Sequence, residues 1–263
     1  MFDLAAFSTE QFWAFLQVFA RVSALFVSAP VFGSREIPAT VKIGLAGLLS
    51  LVLLPIVRPA LDGQTMPETV YVMAAKLAGQ TIIGLLMGLV VSLLFVAVRI
   101  GGDVLDYQMG FTQAATFNPQ FNETVSPIAN FQYRYALVLY LLGNGHWLLL
   151  ASLARSFVKL PVGHLALGNG ALGTFTDLTF AMMVAGLQIA APGAAVLLIT
   201  DIAFAFLNKA VPQMQVFFVS MPVKVLVGLI VVAAALPLLT IAVGHLVASS
   251  PDDLYALMKG LRR

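Results

Sequence analysis

The sequence predicts an all-α, membrane-associated fold, built from about six long hydrophobic segments arranged as bent helical hairpins. Three observations predict it. The chain of 263 residues is 60% hydrophobic and only 10% charged, with a mean hydropathy of +0.96, which leaves too little polar surface for a water-soluble globule of this size. Its apolar residues are gathered into runs long enough to cross a bilayer as helices, for which roughly 18 or more are needed. Prolines stand inside the last two of those runs, where a lost backbone donor bends a helix.

The first run covers about 12 to 29, behind Ser8 and Gln11 in capping-box spacing, and stops at Pro30. Its approach carries Asp3 and Glu10 but no Lys or Arg, unlike the basic start of a cleavable signal peptide, so this segment is expected to be retained. The second run covers 39 to 57. In the third, 70 to 98, Thr81, Gly84, Gly88 and Ser92 recur at steps of three and four, a small-residue face suited to close helix packing. The fourth covers 131 to 153. The fifth and sixth, 178 to 207 and 216 to 248, exceed one crossing and are interrupted by Pro192-Gly193 and by Pro222 and Pro237; such breaks survive where neighbouring protein satisfies the freed carbonyls. With no internal repeat, low-complexity tract or room for a soluble domain, residues 1–263 read as one helical domain. Lys and Arg divide almost evenly between the two sides of a six-crossing topology, Arg58, Arg155, Lys159, Lys259, Arg262 and Arg263 against Arg35, Lys42, Arg99, Arg134 and Lys209. That bias is too small to orient the chain.

The sequence points to no catalytic, metal-binding or cofactor-binding residue. His146, His164 and His245 lie in separate segments without HExxH spacing, and no GxSxG elbow, P-loop or GxGxxG run is present. The chain has no cysteine, hence no disulfide or thiolate site. Its few basic residues are scattered, with only Arg262 and Arg263 adjacent, which is no nucleic-acid footprint. Asp103 and Asp106 read as the end of a helix entering a loop. Charges inside the apolar runs carry more weight, because each costs a few kcal/mol or more at the bilayer centre unless paired or hydrated. Arg21, with Gln17 and Ser28 near the same helical face, Lys76, Asp201 and Lys224 are these residues. They line a permeation path or ion relay, or they are polar glue between helices or subunits; Asp201 suits a buried pair with a lysine.

The stretch DYQMGFTQAATFNPQFNETVSPIAN, 106 to 130, is too polar to span a bilayer and too rich in phenylalanine for an ordinary solvated linker. Two function classes remain. A secondary transporter would use broken helices around a midplane site; a structural subunit of a larger membrane pore would use polar faces as subunit contacts and the irregular stretch as a lumen lining. The stretch favours the second.

Arg21 followed by APVFGSREIPATVKIGLAGLLSLVLLP (29 to 55), GGDVLDYQMGFTQAATFNP (101 to 119), GH (145 to 146), SFVKLPVG (156 to 163) and KAVPQMQVFFVSMPVKVLVGL (209 to 229) together resemble the FliR family of flagellar type III export-gate subunits, over nearly the whole chain. Lys209 and Gln215 stand where that family usually has arginine and asparagine. Lysine keeps the charge but loses the planar fork. The injectisome homologues share the pattern, while the PQ and GF elements look flagellar.

The resemblance implies a mostly helical assembly with FliP-like and FliQ-like subunits in the bacterial inner membrane, at the flagellar basal body. Residues 1–177 are similar to a FliP-like part, and 178–263 to a FliQ-like hairpin. FlhB and FlhA of the export apparatus are the further partners, unfolded flagellar proteins the cargo, and no enzyme or cofactor is implied. The loop around 106–130 is expected to plug the lumen. Gln108, Met109, Gly110, Phe111, Thr112, Phe117, Asn118, Pro119 and Phe121 would form the plug, with Gly110 leaving the helix and Phe111 and Phe117 excluding water. The alternative is that its phenylalanines simply pack a buried re-entrant loop. Pro212 and Gln213 are expected at a tight hairpin turn, with Gln213 bonding another subunit, and Arg21, Lys76, Asp201, Lys209 and Lys224 at subunit contacts or as buried polar groups.

Overall fold

In hydrocarbon every backbone N–H must find its partner within its own segment, so long apolar runs wind into helices. The computed structural model describes residues 9–34, 36–61, 67, 69–111, 126–160, 169–211 and 216–261. Among them it contains helices α1 (Thr9–Ser28), α2 (Ala39–Leu61), α3 (Val70–Met109), α4 (Pro127–Leu142), α5 (Gly145–Lys159), α6 (Asn169–Ala210) and α7 (Val216–Leu261), and no strand. Five are long and apolar enough to cross a membrane, six if α4 and α5 count as one span. Ser8, expected as the cap of α1, lies outside the described residues.

The helices depart from the sequence expectation: α6 begins at Asn169 instead of 178 and α7 continues to Leu261 instead of 248, and three further differences bear on the site. The run 131 to 153 is not one helix: it breaks at Gly143-Asn144, where Asn144 adopts φ 55°, the left-handed conformation that asparagine tolerates better than most residues. The expected irregular stretch 106–130 overlaps helices at both ends, because 106–109 complete α3 and 127–130 open α4, and 112–125 lie outside the described residues. And α6 and α7 run on through Pro192, Pro222 and Pro237 without interruption. All three prolines sit on exposed faces, so each ring points away from the packed side.

The chain divides into two compact units, through both of which α3, α6 and α7 run. The first comprises Met1–Leu93, Asn144–Leu178 and Ala248–Arg263. There α1 buries Trp13, Gln17, Val18, Arg21, Val22 and Leu25, residues recurring at helical spacing along one side. Helix α2 packs on α1 and α5 through a narrow stripe, Ala46, Ser50, Leu53 and Val57, leaving Val41, Leu45, Leu48, Val52 and Ile56 exposed. Helix α3 approaches α1 at its glycines: a β-carbon at Gly84 would lie 2.9 Å from that of Ala24, and one at Gly88 would lie 2.9 Å from the Leu25 carbonyl oxygen. Neither separation is compatible with a side chain.

The second unit comprises Leu94–Gly143 and Thr179–Val247. Its core is the second half of α3, buried on most sides. Helix α4 lies against it where a β-carbon at Gly102 would come within 2.8 Å of the Ala129 nitrogen, and Phe95 meets Tyr133 and Tyr140 edge-on at 5.8 and 5.4 Å. Helix α6 presents Met182, Gly186, Ala190, Gly193 and Leu197, a buried row at steps of three and four. Helix α7 is tied to α4 by the Tyr135 hydroxyl, 2.8 Å from the Thr240 hydroxyl. Thr240 donates its own hydrogen to the Leu236 carbonyl, so Tyr135 is the donor between them.

Candidate functional site

The last two turns of α3 are held between α6 and α7 by side chains that occupy glycine positions. A β-carbon at Gly193 of α6 would lie 2.8 Å from Leu105 Cδ2, and one at Gly228 of α7 would lie 2.5 Å from the methyl carbon and 2.6 Å from the sulfur of Met109. Leu105 and Met109 join Ile128 of α4, Leu197 of α6 and Val232 of α7 in one buried cluster, with Phe111, Val225 and Val227 packed at its edge. Met109 is 1% exposed. The next residue, Gly110, takes φ 87°, open to glycine and strained for other residues, and its N–H donates to the Tyr107 carbonyl at 3.1 Å. The chain leaves the helix there.

One turn earlier, Asp106 is completely buried and receives two backbone hydrogen bonds from the start of α4, Ile128 N–H to Oδ1 at 3.0 Å and Ala129 N–H to Oδ2 at 2.9 Å. The first turn of any helix has N–H groups without partners in the helix. Here Pro127 removes one, and Ser126, at the cap position, makes no side-chain capping bond. Asp106 replaces that cap from another helix, and its charge complements the positive end of the helix dipole. Residues 112–125 are therefore flanked by two anchored ends, Met109-Gly110 on one side and Ile128-Ala129 on the other. Gln108, in the last turn of α3, is half-buried, with its Oε1 unpartnered.

On α7, Lys224, Gly228 and Val232 follow at intervals of four, on one face. Lys224 forms an ion pair with Asp201, itself one turn beyond Leu197 on α6. This supplies the partner that spacing alone does not assign to Asp201. The pair is not sealed, with side chains 21% and 39% exposed.

In the first unit Arg21 has no exposed surface. Its Nε donates to Gln80 Oε1 at 2.7 Å, one terminal nitrogen to Ser156 Oγ at 2.9 Å and the other to the Leu160 carbonyl at 3.0 Å, and the guanidinium lies 4.1 Å from the centre of the Phe157 ring. Ser156 passes its own hydrogen to the Leu153 carbonyl. Among the described residues no carboxylate pairs with Arg21. Its compensation is the last turn of α5, whose carbonyl end is negative, together with the ring face. Gln17, one turn back on α1, is equally buried, yet its amide nitrogen and oxygen have no hydrogen-bond partner, nor has Trp13 Nε1.

Lys76 is half-buried on α3 with no partner among the described residues, and Lys209 is exposed in the last turn of α6. Thr112, Phe117, Asn118, Pro119, Phe121, Pro212 and Gln213 lie outside the described residues. The structure thus brings Met109, Gly110 and Phe111 to one cluster and joins Asp201 to Lys224. It sets Arg21 among partners of its own chain. Sequence reasoning passed over Asp106 as a capping group, over Gly193 and Gly228 as places where α3 side chains pack, and over Gln80 and Ser156 as partners of Arg21. For Asp106 a signal existed: a proline opening α4 behind a serine marks a helix start, and an acid is the group such a start attracts. Among the described residues no cluster of three metal-ligating side chains occurs.

Residues 12–250 match the sequence model of the family described as bacterial export proteins, family 1. The chain is similar to the flagellar biosynthetic protein FliR of Bacillus subtilis, 32% identical over 254 residues that cover 95% of this chain and 96% of that one. It is also similar to FliR of Escherichia coli, 30% identical over 235 residues, 89% and 87% of the two chains, and to FliR of Aquifex aeolicus, 31% identical over 233 residues, 88% and 87%.

Proposed function

The chain belongs to the bacterial export proteins, family 1, and from that premise we propose that it is a structural subunit of the flagellar type III export gate. Its family and its flagellar relatives give it a role in flagellar protein export, and its long apolar helices place it in a membrane. The finer reading is that it joins FliP-like and FliQ-like subunits around a channel for unfolded flagellar proteins in the bacterial inner membrane, at the basal body, in contact with FlhB and FlhA. Residues 1–177 serve as the FliP-like part and 178–263 as the FliQ-like hairpin. The relatives named above are all flagellar, which favours this system over an injectisome or a solute transporter.

Within that channel the loop opened by Gln108, Met109, Gly110 and Phe111, and continued by Thr112, Phe117, Asn118, Pro119 and Phe121, closes the lumen. The observation that carries this reading is the double anchorage of its ends, Met109 in the buried cluster and Asp106 on the first turn of α4. A segment that must seal against ions needs fixed ends, and neutral Gln, Asn and Phe side chains close a conduit without binding or repelling charged cargo. Arg21, Lys76, Asp201, Lys209, Lys224, Pro212 and Gln213 serve as buried polar groups and as contacts with neighbouring subunits. Supporting this, the partly exposed Asp201–Lys224 pair is expensive against lipid and needs polar or protein cover.

The test is conductance. Cells carrying the assembled complex with residues 110–117 replaced by a Gly/Ser segment are expected to leak small ions well above wild type. Unchanged conductance with normal complex abundance would count against a plug.

A further inference from the structure

We infer that Gly228 is a positioning residue for the seal, acting through Met109; the inference rests on the channel reading above and adds to it the socket that holds the end of α3 from which the seal starts. The thioether end of Met109 occupies the space a side chain at 228 would fill: a β-carbon there would stand 2.5 Å from Cε, 2.6 Å from Sδ and 2.7 Å from Cγ. Real β-carbons do not approach carbon or sulfur so closely, so one of the two residues must give way. Met109 is the mobile partner, because its unbranched side chain has several rotatable bonds, whereas residue 228 is mid-helix in α7. The row on either side of Gly228 is itself fixed, by the Lys224–Asp201 ion pair one turn before and by Val232 in the buried cluster one turn after.

The consequence reaches the seal through one residue. Met109 is the last residue of α3 and directly precedes Gly110, whose φ of 87° turns the chain out of the helix, and Phe111 packs at the edge of the same cluster. Moving the Met109 thioether off its socket loosens the cluster against which Phe111 packs, beside the point at which the chain leaves α3. Gly228 differs in this from Gly244 of the same helix, where a β-carbon would meet nothing within 4 Å. The two glycines are alike in sequence context, each within an apolar run, and opposite in what they meet.

The experiment compares G228A, M109A, the double variant and G244A in cells carrying the full export complex, reading small-ion leak, complex abundance and flagellar export. G228A is expected to raise the leak several-fold at normal abundance, because the alanine methyl displaces Met109, and M109A to raise it by emptying the socket. In the double variant the new methyl takes up part of the vacated volume, so it should leak less than either single change, a coupling that only contacting residues show. G244A should behave as wild type. Should G228A fail to assemble, M109A and the double variant carry the test, since their comparison reads the same socket. The inference is overturned if M109A does not leak, if assembled G228A does not, or if the double variant leaks at least as much as M109A. A leak on replacing 110–117, without one in these variants, removes the socket and leaves the plug; absence of leak in all of them removes both.

Discussion

At the scale of single residues, the two fully buried charges identified in these cores, Arg21 and Asp106, are handled alike. Neither faces an opposite side-chain charge among the described residues; each is set against a helix end. Arg21 meets the carbonyl end of α5 through Leu160, and Asp106 the amide end of α4 through Ile128 and Ala129. A helix terminus offers unpaired backbone groups and a partial charge at once, and so can satisfy an ion that would be costly to bury alone. Removing the ion leaves those groups unpaired. R21M is expected to lower stability by about 3 kcal/mol, roughly 1 for each of Gln80, Ser156 and Leu160 left without its donor, seen as an earlier thermal transition of the complex purified in detergent. Q17L is expected to hold or raise that transition, since the Gln17 amide is buried with nothing to bond and desolvating it unpaired is unfavourable. An unaltered transition in R21M would show that the guanidinium network contributes nothing.

At the scale of elements, glycine marks two different situations. Gly84 and Gly88 stand where α1 and α3 touch, and Gly101, Gly186, Gly193 and Gly228 stand where α3 meets α6 and α7. Gly44 and Gly47 of α2 face open space. Adding side-chain bulk at the first kind forces backbones apart, at about 1 to 3 kcal/mol for a single overpacked site. Adding a methyl at the second stiffens the helix and gains up to about 1 kcal/mol. G88A is therefore expected to reduce the thermal transition and recovered yield of the complex, and G44A to leave both unchanged or improved. Reversed rankings would mean that α1 and α3 are not held at that distance. Prolines follow the same logic, since Pro192, Pro222 and Pro237 all occupy exposed faces, where the missing hydrogen bond disturbs no packed contact.

At the scale of the whole molecule, much apolar surface has no cover within the chain. Exposed Leu187, Leu198, Ile199, Ile202 and Phe206 on α6, and Leu226, Leu229, Ile230, Leu238 and Ile241 on α7, belong to helices of 42 and 46 residues. At 1.5 Å per residue each exceeds about 60 Å, twice a bilayer's hydrocarbon thickness of about 30 Å. Lipid covers only part of such lengths, and neighbouring subunits are the natural cover for the rest. Purified in mild detergent from its own cells, the chain is expected to run as a large complex with FliP-like and FliQ-like subunits. A lone monomer or small homodimer in a mass measurement would contradict the gate assignment.

Composition and periodicity alone determined that this chain is helical and membrane-bound, where most of its helices lie, that Arg21, Asp201 and Lys224 stand inside apolar segments, and that the chain turns out of a helix at Gly110. These are local properties: hydropathy, the 3.6-residue period and the conformational freedom of glycine act within a few residues of where they are read. Only the tertiary structure decided that Asp106 caps α4, that Arg21 ends α5, that Asp201 belongs to Lys224, and that Met109 fills the place of a side chain at Gly228. Each of these joins residues far apart in the chain, and such a choice depends on which helix faces meet. It also decided that the run 131 to 153 breaks at Asn144 while the proline-bearing helices continue, because a proline on an exposed face disturbs no packing and a left-handed residue between two helices redirects the chain.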